Sequence, residues 1–233
     1  MRSAVVTGAS RGIGRAVAEL LVRDGVRVYM LARTASQLDE AAQVLGQLAV
    51  PVVCDVTDPQ AVARAVTQIG EATGGAPDIL INNAGIFPLG SMHLLDAADL
   101  ERTLAVNVVS PFRFVRAFIA TMKQRGSGMI ITIGSVADRA IFSENGAYAA
   151  SKHAQRAMHE VLRQELTGTG VRASLVSPGP TDTNIWDAID PDSREGFPKR
   201  AQMLSAGAVA AAIRWVISAP LELNVDELRL SRA

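Results

Sequence analysis

A chain of 233 residues, 48% hydrophobic and 20% charged, carries enough apolar material to bury the core of one or two domains and too much for a disordered protein. Its 23 basic and 23 acidic side chains cancel, and no block of Lys or Arg stands out, so nothing electrostatic points to a nucleic acid or an anionic membrane as partner. The single cysteine, Cys54, excludes an internal disulfide and a disulfide-stapled secreted fold.

Met1-Arg2-Ser3 runs straight into Ala4-Val5-Val6 with no apolar leader and cleavage site, and no window reaches the roughly 18 uninterrupted apolar residues of a membrane span, so a cytoplasmic location is expected. Short β-branched runs then alternate with amphipathic stretches. In chain order the sequence predicts a strand at Ala4–Thr7, a helix at Gly14–Arg23 stopped by Asp24-Gly25, a strand at Arg27–Leu31, a helix at Ser36–Leu45, a strand at Val50–Cys54 and a helix at Pro59–Ala72. A strand at Ile79–Asn82, a long helix at Ala97–Lys123, a strand at Met129–Ile133, a helix at Ala147–Leu166, a strand at Arg172–Val176, a helix at Ala206–Ile217 and a strand at Glu227–Leu230 complete the chain. Most of the strands are apolar throughout, as strands covered on both faces are. This is the pattern of a single-domain α/β fold over residues 1–233: a doubly wound, Rossmann-type, seven-stranded, mainly parallel sheet with helices on both faces. Only 184–204 breaks the rhythm. It holds Trp186, Ile189 and Phe197 among Pro191, Pro198 and several charges, is too long for a simple connection, and is expected to be a substrate lid.

The first strand leads into Thr7-Gly8-Ala9-Ser10-Arg11-Gly12-Ile13-Gly14 and then a helix. Glycines at such a turn allow positive φ and let a pyrophosphate approach the free N–H groups of the helix start. The spacing is neither the usual dinucleotide fingerprint nor a P-loop. The second strand ends Leu31-Ala32-Arg33, where a fold selecting NAD usually places a carboxylate, so Arg33 favours the 2′-phosphate of NADP(H). Tyr148 stands four residues before Lys152, about 400° around a helix, so the two share a face and the ammonium is expected to lower the phenol pKa. Ser135 follows a strand directly, which places its hydroxyl at the carboxyl edge of the sheet.

Taken together, the Thr7–Gly14 loop, Asn82-Asn83-Ala84-Gly85, Asn107, Ser135, Tyr148 with Lys152, and Pro178-Gly179 followed by Thr183 resemble the short-chain dehydrogenase/reductase family over nearly the whole chain. The resemblance implies that Tyr148 exchanges a proton with the substrate oxygen, that Ser135 orients it, that Lys152 also holds the nicotinamide ribose, and that Asn107 holds a water in a proton relay. It implies cofactor contacts from Gly8, Ser10, Arg11, Gly12, Ile13 and Gly14, from Asp55 and Val56 at the adenine, from Asn83, Ala84 and Gly85, and from Pro178, Gly179, Thr181 and Thr183. Arg11 matches a basic residue of NADP-dependent members, and a homodimer or homotetramer is implied as well.

The expected activity is NADP(H)-dependent hydride transfer between the nicotinamide and a small carbonyl or secondary alcohol. A 3-hydroxy acid dehydrogenase and a non-catalytic NADP(H)-binding sensor or scaffold are the alternatives. No catalytic metal is expected, since His93, His153 and His159 are dispersed, and Gly134-Ser135-Val136-Ala137 is not a hydrolase elbow. Phe87, Pro88, Leu89, Ile141, Phe142, Trp186 and Ile189 could line a mainly apolar substrate pocket, with Arg139 weighed as a partner for a substrate carboxylate or as a solvated side chain. Cys54 is expected in the core.

Overall fold

Each central strand divides its side chains between two cores, and that division fixes the architecture. The computed structural model describes residues 1–233. Its strands are β1 (Ser3–Thr7), β2 (Arg27–Ala32), β3 (Ala49–Val53), β4 (Ile79–Asn82), β5 (Gly128–Ile133), β6 (Val171–Pro178), the two-residue β7 (Thr181–Asp182) and β8 (Leu204–Ser205), and β9 (Glu227–Leu230). The helices are α1 (Gly12–Arg23), α2 (Ala35–Leu45), α3 (Pro59–Thr73), α4 (Ala97–Leu104), α5 (Ser110–Gln124), α6 (Gly146–Glu165) and α7 (Ala206–Ser218). Ala4, Val6, Val28, Met30, Ile79 and Ile81 point into a core closed by α1, α2 and α7. Val5, Tyr29, Leu31 and Leu80, one residue out of phase, point into a second core closed by α3, α5 and α6. The result is a seven-stranded sheet in the order β3-β2-β1-β4-β5-β6-β9, parallel at every pairing. Pro51, which cannot donate to a ladder, is accommodated because β3 is an edge strand.

The expected doubly wound sheet is therefore present, with strand ends displaced by one or two residues and α1 beginning at Gly12 rather than Gly14. The long helix expected over Ala97–Lys123 is divided. A π-helical turn at Ala105–Val109 separates α4 from α5, because Pro111 lacks the N–H that would meet the Asn107 carbonyl in an α-helix. The helical run Ala97–Gln124 is long and apolar enough, by length and composition, to cross a membrane, although charged residues interrupt it, as expected from the sequence. Its Phe114, Phe118 and Met122 are fully buried in the second core, so that apolar content is used in packing.

Strand order reverses between β1 and β4, and this opens a crevice at the carboxyl edge where the loops after β1 and β4 meet. Gly8 and Gly12 have φ of 67° and 58°, which only glycine adopts without strain. Gly14 is needed for a different reason. A Cβ there would lie 2.4 Å from the Gly8 carbonyl oxygen and 2.5 Å from Asn83 Nδ2. Segment 184–204 has its own framework. It contains the short 3-10 turns Asn184–Trp186 and Arg200–Gln202, and its ends are joined by the β7–β8 pairing. Arg200 binds Asp182 Oδ1 at 2.7 Å and Asp187 Oδ1 at 2.8 Å, and Lys199 Nζ donates to the carbonyls of Pro191, Asp192 and Arg194.

In a solvated helix, replacing glycine by alanine stabilises by about 1 kcal/mol. At Gly14 an overpacking cost of about 1–3 kcal/mol opposes that gain. Gly14→Ala is expected to lower the thermal unfolding midpoint, and a raised midpoint would show that the approach to Asn83 is not tight.

Candidate active site

Thr7 and Asn83 lock the two loops of the crevice together. Thr7 Oγ1 accepts from the N–H groups of Asn83 and Ala84, each at 2.9 Å. Asn83 Nδ2 returns bonds to the carbonyls of Thr7 (2.8 Å) and Gly8 (3.2 Å). Above this lock α1 begins with no side-chain cap and no acidic residue in its first turn, so its terminal N–H groups and positive dipole end are left for an anion. Arg11 and Arg33 are exposed on the same cleft. The Arg33 charge helps keep Asp55 ionised, after two hydrogen bonds from Thr57, and the Arg11 charge reaches Asp187 of segment 184–204.

At the other end of the cleft, β5 delivers Ser135 and α6 presents Tyr148 and Lys152 one turn apart. Ser135 stands close enough to Tyr148 to favour its ionised form, and its Oγ accepts from the Ala137 N–H at 3.2 Å. Lys152 is buried and donates to the Ile133 carbonyl at 2.8 Å and to Gln155 Oε1 at 2.9 Å. The expected depression of the Tyr148 pKa is not found. Lys152 Nζ lies 5.6 Å from the ring centroid and its hydrogen bonds go elsewhere, so desolvation prevails and pushes the phenol up to about 12, against the lowering effect of Ser135. Desolvation pulls Lys152 the other way, down to about 8, although the buried Asp138 nearby favours its charge. A phenol that keeps its proton at neutral pH is equipped as an acid.

These elements line one cleft of about 1290 Å³, more than the roughly 300–1000 Å³ of a site for one drug-sized molecule. Gly8, Ser10, Arg11, Gly12, Ile13, Arg33, Asp55, Val56, Asn83, Ala84 and Gly85 line it, as do Ser135, Tyr148, Lys152, Pro178, Gly179, Thr181 and Thr183. Two expected site residues do not. Gly14 lies beneath the loop against Gly8 and Asn83, where its role is to have no side chain. Asn107 is wholly buried in the π turn, its Oδ1 accepting from the Ile86 N–H and its Nδ2 donating to the Ile86 carbonyl and to Ser151 Oγ. Its amide thus fixes the loop after Gly85.

Arg139 is partly exposed and engaged within the protein rather than free for a substrate. It is paired with Glu227 on β9, lies near Asp138, and does not line the cleft. Phe87 and Leu89 line it and Pro88, between them, does not. Ile185 rather than Ile189 accompanies Trp186 in the 3-10 turn. Sequence reasoning missed Arg102, Glu144, Glu195 and the placement of Phe197, all of which line the cleft. Cys54 is buried, and burial pushes its thiol up to about 11, which makes it an inert residue.

A family model described as short chain dehydrogenase matches residues 2–194. An uncharacterised oxidoreductase of Staphylococcus saprophyticus is 32% identical over 228 residues, covering 96% of this chain and 92% of its own. Among solved structures, an alcohol dehydrogenase from the archaeon Thermococcus sibiricus complexed with 5-hydroxy-NADP is 29% identical with a TM-score of 0.89, covering 100% of this chain and 97% of that one. The closed form of a serine dehydrogenase complexed with NADP+ is 26% identical with the same TM-score, over 98% and 94% of the two chains. With the match spanning most of its length and the sheet and cleft built as described, the chain belongs to the short chain dehydrogenase family of oxidoreductases.

Proposed function

We propose that this protein is an NADP(H)-dependent oxidoreductase that interconverts a small carbonyl compound and its secondary alcohol. The observation that carries this reading is the convergence of Ser135, Tyr148 and Lys152 at one end of a cleft whose other end is an uncapped helix start flanked by Arg11 and Arg33. The residues suit a dinucleotide bearing a 2′-phosphate. Glycines clear the approach to the α1 N-terminus, and the guanidiniums of Arg11 and Arg33 line the same cleft, which supports a contact with the additional phosphate of the NADP that related structures bind. Asp55 and Val56 would adjoin the adenine, Asn83 to Gly85 the middle of the cofactor, and Pro178, Gly179, Thr181 and Thr183 the nicotinamide.

When bound, reduced nicotinamide supplies the hydride that reaches the carbonyl carbon. Ser135 and Tyr148 would hold the substrate oxygen between them. Tyr148 gives that oxygen its proton as negative charge develops, so that C=O becomes CH–OH, and solvent returns a proton to the phenolate. The buried Lys152 ammonium would stabilise that phenolate while it lasts and hold the cofactor ribose. Asn107 acts as a positioning residue through Ile86. Segment 184–204, which begins beside Thr183 packed against Gly12, would serve as the lid that excludes water from the transfer. The partly exposed Val109, Phe112 and Val161 on the π turn, α5 and α6 support self-association as a homodimer or homotetramer.

Loss of a general acid typically costs about 10²–10⁴-fold in rate. Tyr148→Phe should therefore abolish most NADPH oxidation with a ketone panel while leaving NADPH binding, followed by nicotinamide fluorescence, close to wild type. Equal measurable rates in the two proteins would overturn Tyr148 as the proton donor, and no NADPH oxidation by the wild type would make the site a non-catalytic dinucleotide binder.

Reduction should also fall as pH rises through about 8, where Lys152 loses the proton that stabilises the tyrosinate. A rate that stays level until the ordinary lysine range near 10.5 would remove Lys152 from this role.

A charge-assisted contact to phosphate contributes about 1.5–3 kcal/mol, so Arg33 should bias kcat/KM toward NADPH over NADH by at least about tenfold. Arg33→Ala should remove that bias. An NADH preference in the wild type, or an unchanged ratio in the variant, overturns the assignment.

A further inference from the structure

The half of the cleft beyond Tyr148 is built of aromatic rings in series. The Phe87 centroid lies 4.5 Å from that of Tyr148 and 5.2 Å from that of Trp186, and Trp186 lies 6.5 Å from Phe197. The whole chain contains only six Phe, two Trp and two Tyr, so this line takes a large share of its aromatic content. The wall is fixed in place: Trp186 is 8% exposed and its Nε1 donates to the Thr181 carbonyl at 3.0 Å. Ile141 and Phe142 also line the cleft, yet are 80% and 54% exposed, large apolar surface of the kind a bound apolar molecule covers.

The charges at this end agree with the rings. Glu144 and Glu195 are the acidic side chains lining it beyond the catalytic group. Arg194 pairs with Glu144 at 2.9 Å and stacks 4.7 Å from the Phe197 centroid, Arg139 is held by Glu227, and Lys152 is committed to Ile133 and Gln155. A carboxylate entering here would give up its hydration among aromatic rings, beside Glu195, with no free cation to receive it.

We infer that the substrate is an uncharged ketone or secondary alcohol with an apolar ring next to the reacting carbon, and that the pocket rejects carboxylated substrates. The inference rests on the reading of the protein as a carbonyl and alcohol oxidoreductase. It weighs against the hydroxy-acid alternative, because Arg139, the side chain considered for a substrate carboxylate, is paired with Glu227.

Acetophenone and 4-acetylbenzoate differ by one carboxylate and separate the possibilities. NADPH oxidation should proceed with a kcat/KM at least roughly tenfold higher for acetophenone. Phe197→Ala should raise KM for acetophenone several-fold more than KM for 2-butanone. Calorimetric titration of the same two aryl ketones into the NADP+-loaded protein gives a readout independent of turnover, and acetophenone should bind roughly tenfold more tightly. Equal or better use of 4-acetylbenzoate, equal effects of Phe197→Ala on both ketones, or no binding of acetophenone overturns the inference and leaves the oxidoreductase reading in place. Selective binding of acetophenone without NADPH oxidation upholds the ligand class and overturns the oxidoreductase reading.

Discussion

One hydroxyl group holds the crevice in shape. Thr7 Oγ1 takes two backbone N–H groups from the loop after β4, and the Asn83 amide answers with two bonds to the loop after β1. A buried polar group leaves water only if every lone pair and proton finds a partner, so this reciprocal set tolerates little displacement. Because the glycine turn, the start of α1 and the Asn83–Gly85 turn all depart from these two residues, their mutual placement passes directly to the cleft. The close approach at Gly14 follows from the same lock, since Asn83 Nδ2 occupies the space a side chain there would need.

The cleft changes character along its length. Over β2 and β3 it is cationic, with Arg33, Arg11 and Arg102 around a single turn-forming carboxylate, Asp55. Over β5 and β6 it encloses Tyr148 and Lys152, and the cost of ionisation in that setting keeps Tyr148 neutral and makes Lys152 an easier base than a surface lysine. Sheet order produces this division. The strands left of the switch point deliver hydrated loops, while those right of it deliver residues roofed by segment 184–204 and the loop before α6.

Much of this was legible in the sequence because it rests on local rules. Uninterrupted apolar strands announced a covered parallel sheet, glycine placed directly after the first strand announced a phosphate-sized turn, and the Tyr148–Lys152 spacing required a shared helix face. What could not be read depends on contacts between distant residues. Arg139 is engaged by Glu227, 88 positions away, and Arg194 by Glu144, 50 positions away. The phenol pKa went the other way from the simple pairwise argument because enclosure outweighed an ammonium 5.6 Å from the ring, and enclosure is a property of the assembled site. The interruption of the long helix did have a local signal in Pro111, which counts for more than the apolar periodicity around it.

The segment that roofs the cleft is stiffened by ions rather than by a core of its own. Arg200 gathers Asp182, Asp187 and Asp192, and Lys199 gathers three backbone carbonyls, so residues of separate turns are bound into one plate. If it acts as the lid proposed above, such a plate would have little freedom left to lose on a bound molecule, which would lower the entropic cost of closure. Its cohesion has a different vulnerability from that of the sheet. Exposed ion pairs weaken as the Debye length contracts, to about 3 Å at 1 M salt, whereas apolar burial does not. Concentrated salt would therefore loosen the ion-paired turns of the roof while the buried Trp186 and the two cores beneath it stay in place.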